Sequence, residues 1–128
     1  MNGIKKNAID LLCQLIRIPA YSRDETAKAD FLQQHIESMG YKANRLDNNI
    51  WIQSDFYNAD RPTLLLNAHI DTVKPVNGWQ HEPHKDTHED GKIYGLGTND
   101  DGASLVSLLY AFSVLSKKEQ PYLLPSYL

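Results

Sequence analysis

The segment LLLNAHIDTVKP, residues 64–75, places an imidazole and a carboxylate directly after a run of leucines. The apolar run predicts a buried strand, and alternate side chains of a strand share one face, so His69 and Asp71 should point the same way. An imidazole that binds a metal through one ring nitrogen usually donates its other N–H to a carboxylate or a carbonyl oxygen. Because charged groups are costly to bury without partners, this pair predicts either a metal site or a solvated strand end.

A second group of polar residues lies in YGLGTNDDGAS, residues 94–104. Gly95 and Gly97 begin a G-x-G-x-x-G pattern, but Asp100 occupies the third glycine position. A carboxylate there would repel the pyrophosphate of a dinucleotide, so the nucleotide-binding interpretation is rejected. Asp100 instead follows a predicted strand and precedes a predicted helix, where it could cap the helix or bind a cation.

The two groups are more informative together than apart. In a parallel sheet the carboxyl ends of the strands meet at one edge, where open α/β folds place their ligands. If strands precede both His69 and Asp100, the two side chains converge at that edge. The sequence therefore predicts a divalent metal shared by His69 and Asp100, with Asp71 beside the imidazole.

Helical periodicity marks two segments before this region. Apolar residues recur at helical spacing near the N-terminus and predict a helix that ends before Pro19. A second helix is predicted from about residue 23 to 39, with Ser22 and Glu25 in the positions of a capping box. Gly40 then fits the left-handed residue that often ends a helix.

The rest of the chain predicts strands, one long loop and a third helix. YKANRL and IWIQS flank the turn residues DNN and predict a hairpin. Residues 74–90 contain prolines, glycine and many polar groups, and they predict a long loop. GKIYGLG predicts a short strand, and residues 102–115 predict a helix that is apolar, and therefore buried, around most of its surface.

Together these elements predict an α/β domain with a mostly parallel sheet and helices on both faces. At residues 121–128 an apolar run is interrupted by Pro125, where another central strand would be expected. A sheet that ends there would have an exposed edge. We therefore interpret residues 1–128 as the front part of a larger domain.

The composition excludes several classes of partner. A net charge of −3 and a pI near 5.9 provide no basic surface for nucleic acid and no polybasic segment for a membrane. The N-terminal segment mixes polar residues with apolar ones and lacks the apolar core of a signal peptide, so a cytoplasmic location is expected. Cys13 is the single cysteine, and its place among leucines predicts core packing rather than redox chemistry.

The spaced motifs HIDTV and DGKIYGLGTNDD, with Trp79 and Pro83 between them, resemble the zinc aminoacylase and deacylase family of metallopeptidases. That family includes acetylornithine deacetylase, succinyl-diaminopimelate desuccinylase and glutamate carboxypeptidase. The resemblance begins at LIRIPAYS and continues into the helix after Asp100, and YGLGT and DTVKP are most similar to the acetylornithine deacetylase branch. It implies that residues 1–128 form the N-terminal part of a catalytic domain, an incomplete three-layer sandwich of zinc-exopeptidase type.

This resemblance also implies roles for the polar residues. His69 would bind one zinc ion, Asp71 would orient His69, and Asp100 would bridge two zinc ions, or cobalt or another divalent metal in their place. Such paired ions lie about 3.5–4 Å apart, polarise a carbonyl group and lower the pKa of a bridging water. The implied reaction removes an acyl group from a small N-acyl amino acid, with acetylornithine and arginine biosynthesis as the closest expectation. Family members are often homodimers through a smaller lid and dimerisation domain.

The sequence also departs from the family pattern. Gly102 and Ala103 stand where Lys-Gly often follows the bridging aspartate and one further residue. The family's general-base glutamate, the neighbouring glutamate ligand and the later Asp and His ligands have no counterpart in these residues. Because a catalytic zinc normally takes three protein ligands, we expect weak metal binding and no turnover from this polypeptide alone.

Other interpretations of the sequence remain open. His81, His84 and His88 in HEPHKDTH could form a separate metal site, but a polar loop is not expected to hold ligands in place, so solvated histidines are predicted. Trp79 and Tyr94 are predicted to anchor the loop and fill the core rather than to stack on a ligand. A fragment of a related desuccinylase or dipeptidase is an alternative hydrolase, and a non-catalytic module that binds through an open sheet edge is an alternative of another class.

Overall fold

A computed structural model describes residues 2–117 of the protein. The described part contains three α-helices and two short antiparallel hairpins. The elements in chain order are α1 (Asn2–Ile16), α2 (Thr26–Ser38), β1 (Asn44–Leu46), β2 (Asn49–Trp51), β3 (Thr87–Glu89), β4 (Lys92–Tyr94) and α3 (Ala103–Leu115). The apolar run predicted at residues 121–128 lies outside the described residues.

The core forms where the apolar faces of the three helices meet. Leu11 of α1 is fully buried, and it belongs to one cluster with Leu32 of α2 and Leu109 of α3. The predicted first helix is confirmed, and the periodicity that predicted it arises because its apolar residues face this cluster. The prediction that α3 is buried around most of its surface is wrong, because Val114 and the positions at helical spacing before it are exposed.

Helix α2 begins later than the capping pattern predicts. Its first residue is Thr26, and Glu25 occupies the N-cap position without a capping hydrogen bond from its side chain. The Ser22 hydroxyl is used elsewhere, since it donates to Asp71. The predicted end is confirmed, because Gly40 adopts a left-handed conformation with a φ of 90° immediately after the C-cap.

Both hairpins are antiparallel and contain three residues in each strand. The hairpin β1–β2 is confirmed, with Arg45 opposite Ile50 and Asp47 in a left-handed conformation in the turn. The hairpin β3–β4 pairs His88 with Ile93, so the predicted strand around Ile93 is confirmed. Its partner β3 lies inside residues 74–90, where the sequence predicted only a loop.

The predicted parallel sheet with helices on both faces is not confirmed. The leucine run expected to form its buried strand has no strand partner among residues 2–117, and Leu65 is 79% exposed. A strand needs hydrogen bonds from a neighbour, and the one parallel bridge near this run within residues 2–117 joins Tyr21 to Thr72, six residues after Leu66. The described residues form a helical core with two short antiparallel hairpins.

No helix within residues 2–117 combines the length and the apolar character needed to cross a membrane.

Candidate metal centre

The segment that carries His69 is anchored by backbone hydrogen bonds to the chain that follows α1. The Thr72 N–H donates to the Ala20 carbonyl over 2.8 Å, and the Ser22 N–H donates to the Thr72 carbonyl over 3.1 Å. Ile70 also packs against the core. Because side chains of an extended segment alternate, burying Ile70 turns its two neighbours, His69 and Asp71, toward the opposite side.

A tight turn before α3 positions Asp100. Gly97 has a φ of 77°, and its carbonyl accepts the Gly102 N–H over 2.9 Å, which closes the turn. The peptide bond between Asp100 and Asp101 is cis. The alternative role of Asp100 as a helix cap is wrong, because the N-cap position of α3 is Gly102 and no side chain forms a capping hydrogen bond there.

The two segments bring three polar side chains into contact. The Nε2 atom of His69 lies 2.9 Å from Oδ1 of Asp100, although the two residues are 31 positions apart in the sequence. The Nδ1 atom of His69 lies 3.0 Å from Oδ1 of Asp71. All three residues selected from the sequence therefore meet at one place, and their role as metal ligands stays a prediction.

Asp71 has further partners that sequence reasoning missed. The Ser22 hydroxyl donates to Oδ2 of Asp71 over 2.5 Å, and this bond, together with the neighbouring His69, lowers the pKa of Asp71. Lys28 is buried nearby, and burial lowers its pKa while the charge of Asp71 acts in the opposite direction. The sequence signal that could have indicated the burial of Lys28 was its position on the apolar stripe of α2, four residues before Leu32.

The imidazole of His69 is held between two carboxylates. Partial burial by itself lowers the pKa of His69, but the hydrogen bonds to Asp100 and Asp71 and their negative charges outweigh it, so the pKa of His69 is raised. A histidine whose pKa is raised on folding adds stability below its unfolded pKa. That stability is lost as the pH rises through the folded pKa.

Substitution Asp100→Asn is expected to lower the pKa of His69 in the metal-free chain. The amide keeps the shape of the carboxylate but removes the charge that favours the imidazolium. Titration of the His69 ring protons by NMR measures the shift. Asp101→Asn is the matched control, because Asp101 contacts His69 through its backbone N–H rather than through the imidazole. Equal pKa values in the Asp100→Asn variant and the unmodified chain would contradict the contact between the imidazole and Asp100.

The three side chains line an open cleft of about 420 Å³. Trp79 and Tyr94 also line it, so they flank the site. Trp79 is 38% exposed, and the prediction that it fills the core is wrong. Tyr94 stacks on His81, with the ring centroids 4.3 Å apart.

The histidines of the segment HEPHKDTH have separate partners. His81 stacks on Tyr94, and His84 lies 2.9 Å from the Tyr21 hydroxyl. His88 lies on β3 and contacts Cys13 of α1, with 3.4 Å between Nε2 and Sγ. The predicted absence of a strand or helix to hold these side chains is therefore wrong for His88.

Comparison with known proteins finds a match to one peptidase family. Residues 65–122 match the family described as peptidase family M20/M25/M40. This match supports the resemblance to zinc aminoacylases that the two motifs indicate, and it contains all three residues of the candidate site.

Individual relatives of the chain are named for one specific enzyme activity. Over 113 residues the chain is 30% identical to the succinyl-diaminopimelate desuccinylase of Delftia acidovorans, an alignment that covers 80% of the chain and 29% of the relative. The protein of the same name from Acidovorax ebreus is 30% identical over 113 residues, with 77% and 29% covered. The one from Nautilia profundicola is 27% identical over 107 residues, with 82% and 29% covered. The chain spans 29% of the length of these relatives.

These names correct one expectation from the sequence. The relatives above are desuccinylases, so they do not support the closer resemblance to acetylornithine deacetylase or the expected place in arginine biosynthesis. The strings YGLGT and DTVKP contain too few residues to separate the two branches.

Proposed function

We propose that this chain supplies part of the metal centre of an M20-type amidohydrolase. In this proposal His69 and Asp100 would hold the metal, Asp100 would be shared by two ions, and Asp71 would orient His69. The observation that carries the proposal is that each ring nitrogen of His69 faces a carboxylate oxygen, at 3.0 Å for Asp71 and 2.9 Å for Asp100.

This arrangement fits a bound cation. When Nδ1–H donates to Asp71, the lone pair of Nε2 points toward the negative Asp100, and that contact is favourable only with a proton or a metal ion between the two atoms. Bonds of about 2.0 Å to each ligand in a tetrahedral site require Nε2 and Oδ1 to lie about 3.3 Å apart. The Asp100 side chain is 92% exposed and can move by the few tenths of an ångström that separate this value from 2.9 Å.

The proposed reaction is hydrolysis of an N-acyl amide. When bound, a pair of divalent ions would polarise the substrate carbonyl and lower the pKa of a water molecule. The protein's own contribution is to hold the imidazole in one orientation through Asp71, which is itself held by Ser22. The substrate class is a small N-succinyl amino acid of the diaminopimelate type, which the names of the relatives support over acetylornithine. We place this function in the cytoplasm, in a homodimeric enzyme.

The chain by itself is expected to bind zinc weakly and to hydrolyse no substrate. Within residues 2–117 the site offers two ligands, His69 and Asp100, whereas a catalytic zinc normally takes three. Isothermal titration with zinc measures the affinity, and release of succinate from N-succinyl-diaminopimelate measures turnover. Zinc-dependent hydrolysis would contradict the expected inactivity, and the absence of any zinc binding at His69 would overturn the proposed metal centre.

The substrate class is tested by binding rather than turnover. The zinc-loaded chain is titrated with N-succinyl-diaminopimelate and, separately, with N-acetylornithine as the matched control. Tighter binding of the succinyl compound supports the desuccinylase assignment. Tighter binding of N-acetylornithine overturns that assignment and leaves the metal centre intact.

A further inference from the structure

A second group of metal-ligating side chains lies outside the cleft. It consists of Cys13 on α1, Asp86 just before β3, and His88 on β3, and we call it the Cys13 triad. One ligand atom from each residue lies within 4.8 Å of the other two. None of these residues belongs to the candidate centre at His69. The triad therefore needs an explanation of its own.

Two separations within the triad, both measured from Nε2 of His88, match those of a tetrahedral metal site. A zinc ion with bonds of about 2.3 Å to sulfur and about 2.0 Å to nitrogen and oxygen holds S and N about 3.5 Å apart, and N and O about 3.3 Å apart. In the structure, Sγ of Cys13 lies 3.4 Å from Nε2 of His88. The same Nε2 atom lies 3.3 Å from Oδ2 of Asp86. The third pair, Sγ of Cys13 and a carboxylate oxygen of Asp86, lies within 4.8 Å.

The surroundings hold the carboxylate in place and leave a path to solvent. Arg17 donates from Nε to Oδ1 of Asp86 over 2.5 Å and from a terminal nitrogen to Oδ2 over 2.9 Å, which fixes the plane of the carboxylate. The Asp86 side chain is only 8% exposed, whereas the His88 side chain is 54% exposed. Cys13 is buried at the base of the triad. An ion could therefore enter past His88 and keep a water in its fourth position.

We propose that Cys13, Asp86 and His88 form a zinc site that fastens the β3–β4 hairpin to α1. Thiolate, imidazole and carboxylate are the three ligand types that zinc takes in proteins. When the ion binds, the Cys13 thiol loses its proton to solvent and a sulfur–zinc bond forms. The site joins residues 75 positions apart in the sequence, so an ion bound only to the folded chain also stabilises the fold.

Cobalt titration of the full chain tests this site. Co²⁺ replaces zinc in such sites and, when bound to a thiolate, gives a sulfur-to-metal charge-transfer band in the near ultraviolet. The band is expected with the unmodified chain and is expected to disappear in Cys13→Ser. His88→Gln, at a position whose side chain is half-exposed, is expected to weaken cobalt binding at least tenfold. Thermal unfolding with and without zinc gives a second readout, and a higher melting temperature with zinc is expected.

Two controls separate this site from other histidines. His81→Gln alters a neighbouring histidine of the same segment and is expected to leave the band unchanged. His69→Ala removes the proposed hydrolase ligand and is also expected to leave it unchanged, since that centre contains no sulfur. A folded chain that gives no band with excess Co²⁺ overturns the proposal and identifies the triad as hydrogen bonds alone. A band that His88→Gln and Asp86→Asn leave unchanged overturns it as well.

Discussion

Replacing His69 with alanine is expected to weaken zinc binding at the cleft by more than about 100-fold. Loss of a residue that only contacts a ligand already costs about 10–100-fold in metal affinity, and His69 is proposed to be a ligand itself. The remaining carboxylate of Asp100 is 92% exposed and competes poorly with water for the ion. Isothermal titration measures the change. The titration is done in a background that carries both Cys13→Ser and His88→Gln, which leaves Asp86 as the one ligand of the Cys13 triad. Zinc bound at the triad then does not contribute.

Two further variants allow the loss of zinc affinity in His69→Ala to be compared with smaller expected effects. Asp71→Asn retains both ligands but weakens the contact with Nδ1, which lies 3.0 Å away, so a loss of about 10–100-fold is expected. His81→Gln is the matched histidine control, because His81 stacks on Tyr94 and contacts neither His69 nor Asp100. Equal zinc affinities for His69→Ala and His81→Gln would show that zinc binds elsewhere, and the proposed metal centre would be wrong.

The sequence predicted best those features that depend on residues close together along the chain. In an extended segment, the spacing of His69 and Asp71 places both side chains on one side, and the structure has them in contact. The left-handed conformation of Gly40 and the presence of a turn at Asp47 likewise depend on nearby residues, and both were predicted. The meeting of His69 with Asp100 across 31 residues required a further assumption, that the two segments end at the same edge.

That assumption gave the correct contact for an incorrect reason. The prediction placed His69 at the end of a paired strand in a parallel sheet, whereas the structure anchors its segment through hydrogen bonds among Ala20, Ser22 and Thr72. A run of leucines indicates that a segment is apolar, but it does not indicate whether a partner strand lies beside the segment. Leu64 and Leu65 are 61% and 79% exposed, which only coordinates could reveal.

Contacts between distant segments were the hardest to predict. Nothing in the pattern around Cys13 indicates that His88 approaches it from 75 residues away, since leucines at helical spacing surround a core cysteine in the same way. Ser22 illustrates the related problem of competing partners. Its hydroxyl fits a capping box in the sequence, but in the fold it donates to Asp71. A local pattern gives the bonds that a side chain can form, and tertiary contacts select among them.

The turn that presents Asp100 depends on Gly102. A Cβ atom added at Gly102 would lie 2.6 Å from the Gly97 carbonyl oxygen and 2.8 Å from Cδ1 of Leu12. The first of these contacts is with backbone, which cannot rotate away. Gly102 also donates its N–H to that same carbonyl to close the turn. Glycine at position 102 therefore has a steric reason in this fold.

Gly102→Ala is accordingly expected to destabilise the chain by about 1–3 kcal/mol, the usual cost of forcing an extra methyl group into a packed site. Chemical denaturation measures the free energy of unfolding. Gly3→Ala is the matched control, since a Cβ atom there meets nothing within 4 Å and alanine is favoured in a helix. To relieve the overlap with the added methyl group, the Gly97 carbonyl must move, and the turn between Gly97 and Asp100 opens. The zinc affinity of the cleft should therefore fall together with the free energy of unfolding. Unchanged stability in Gly102→Ala would mean that the turn is not closed as described, and the placement of Asp100 beside His69 would lose its structural basis.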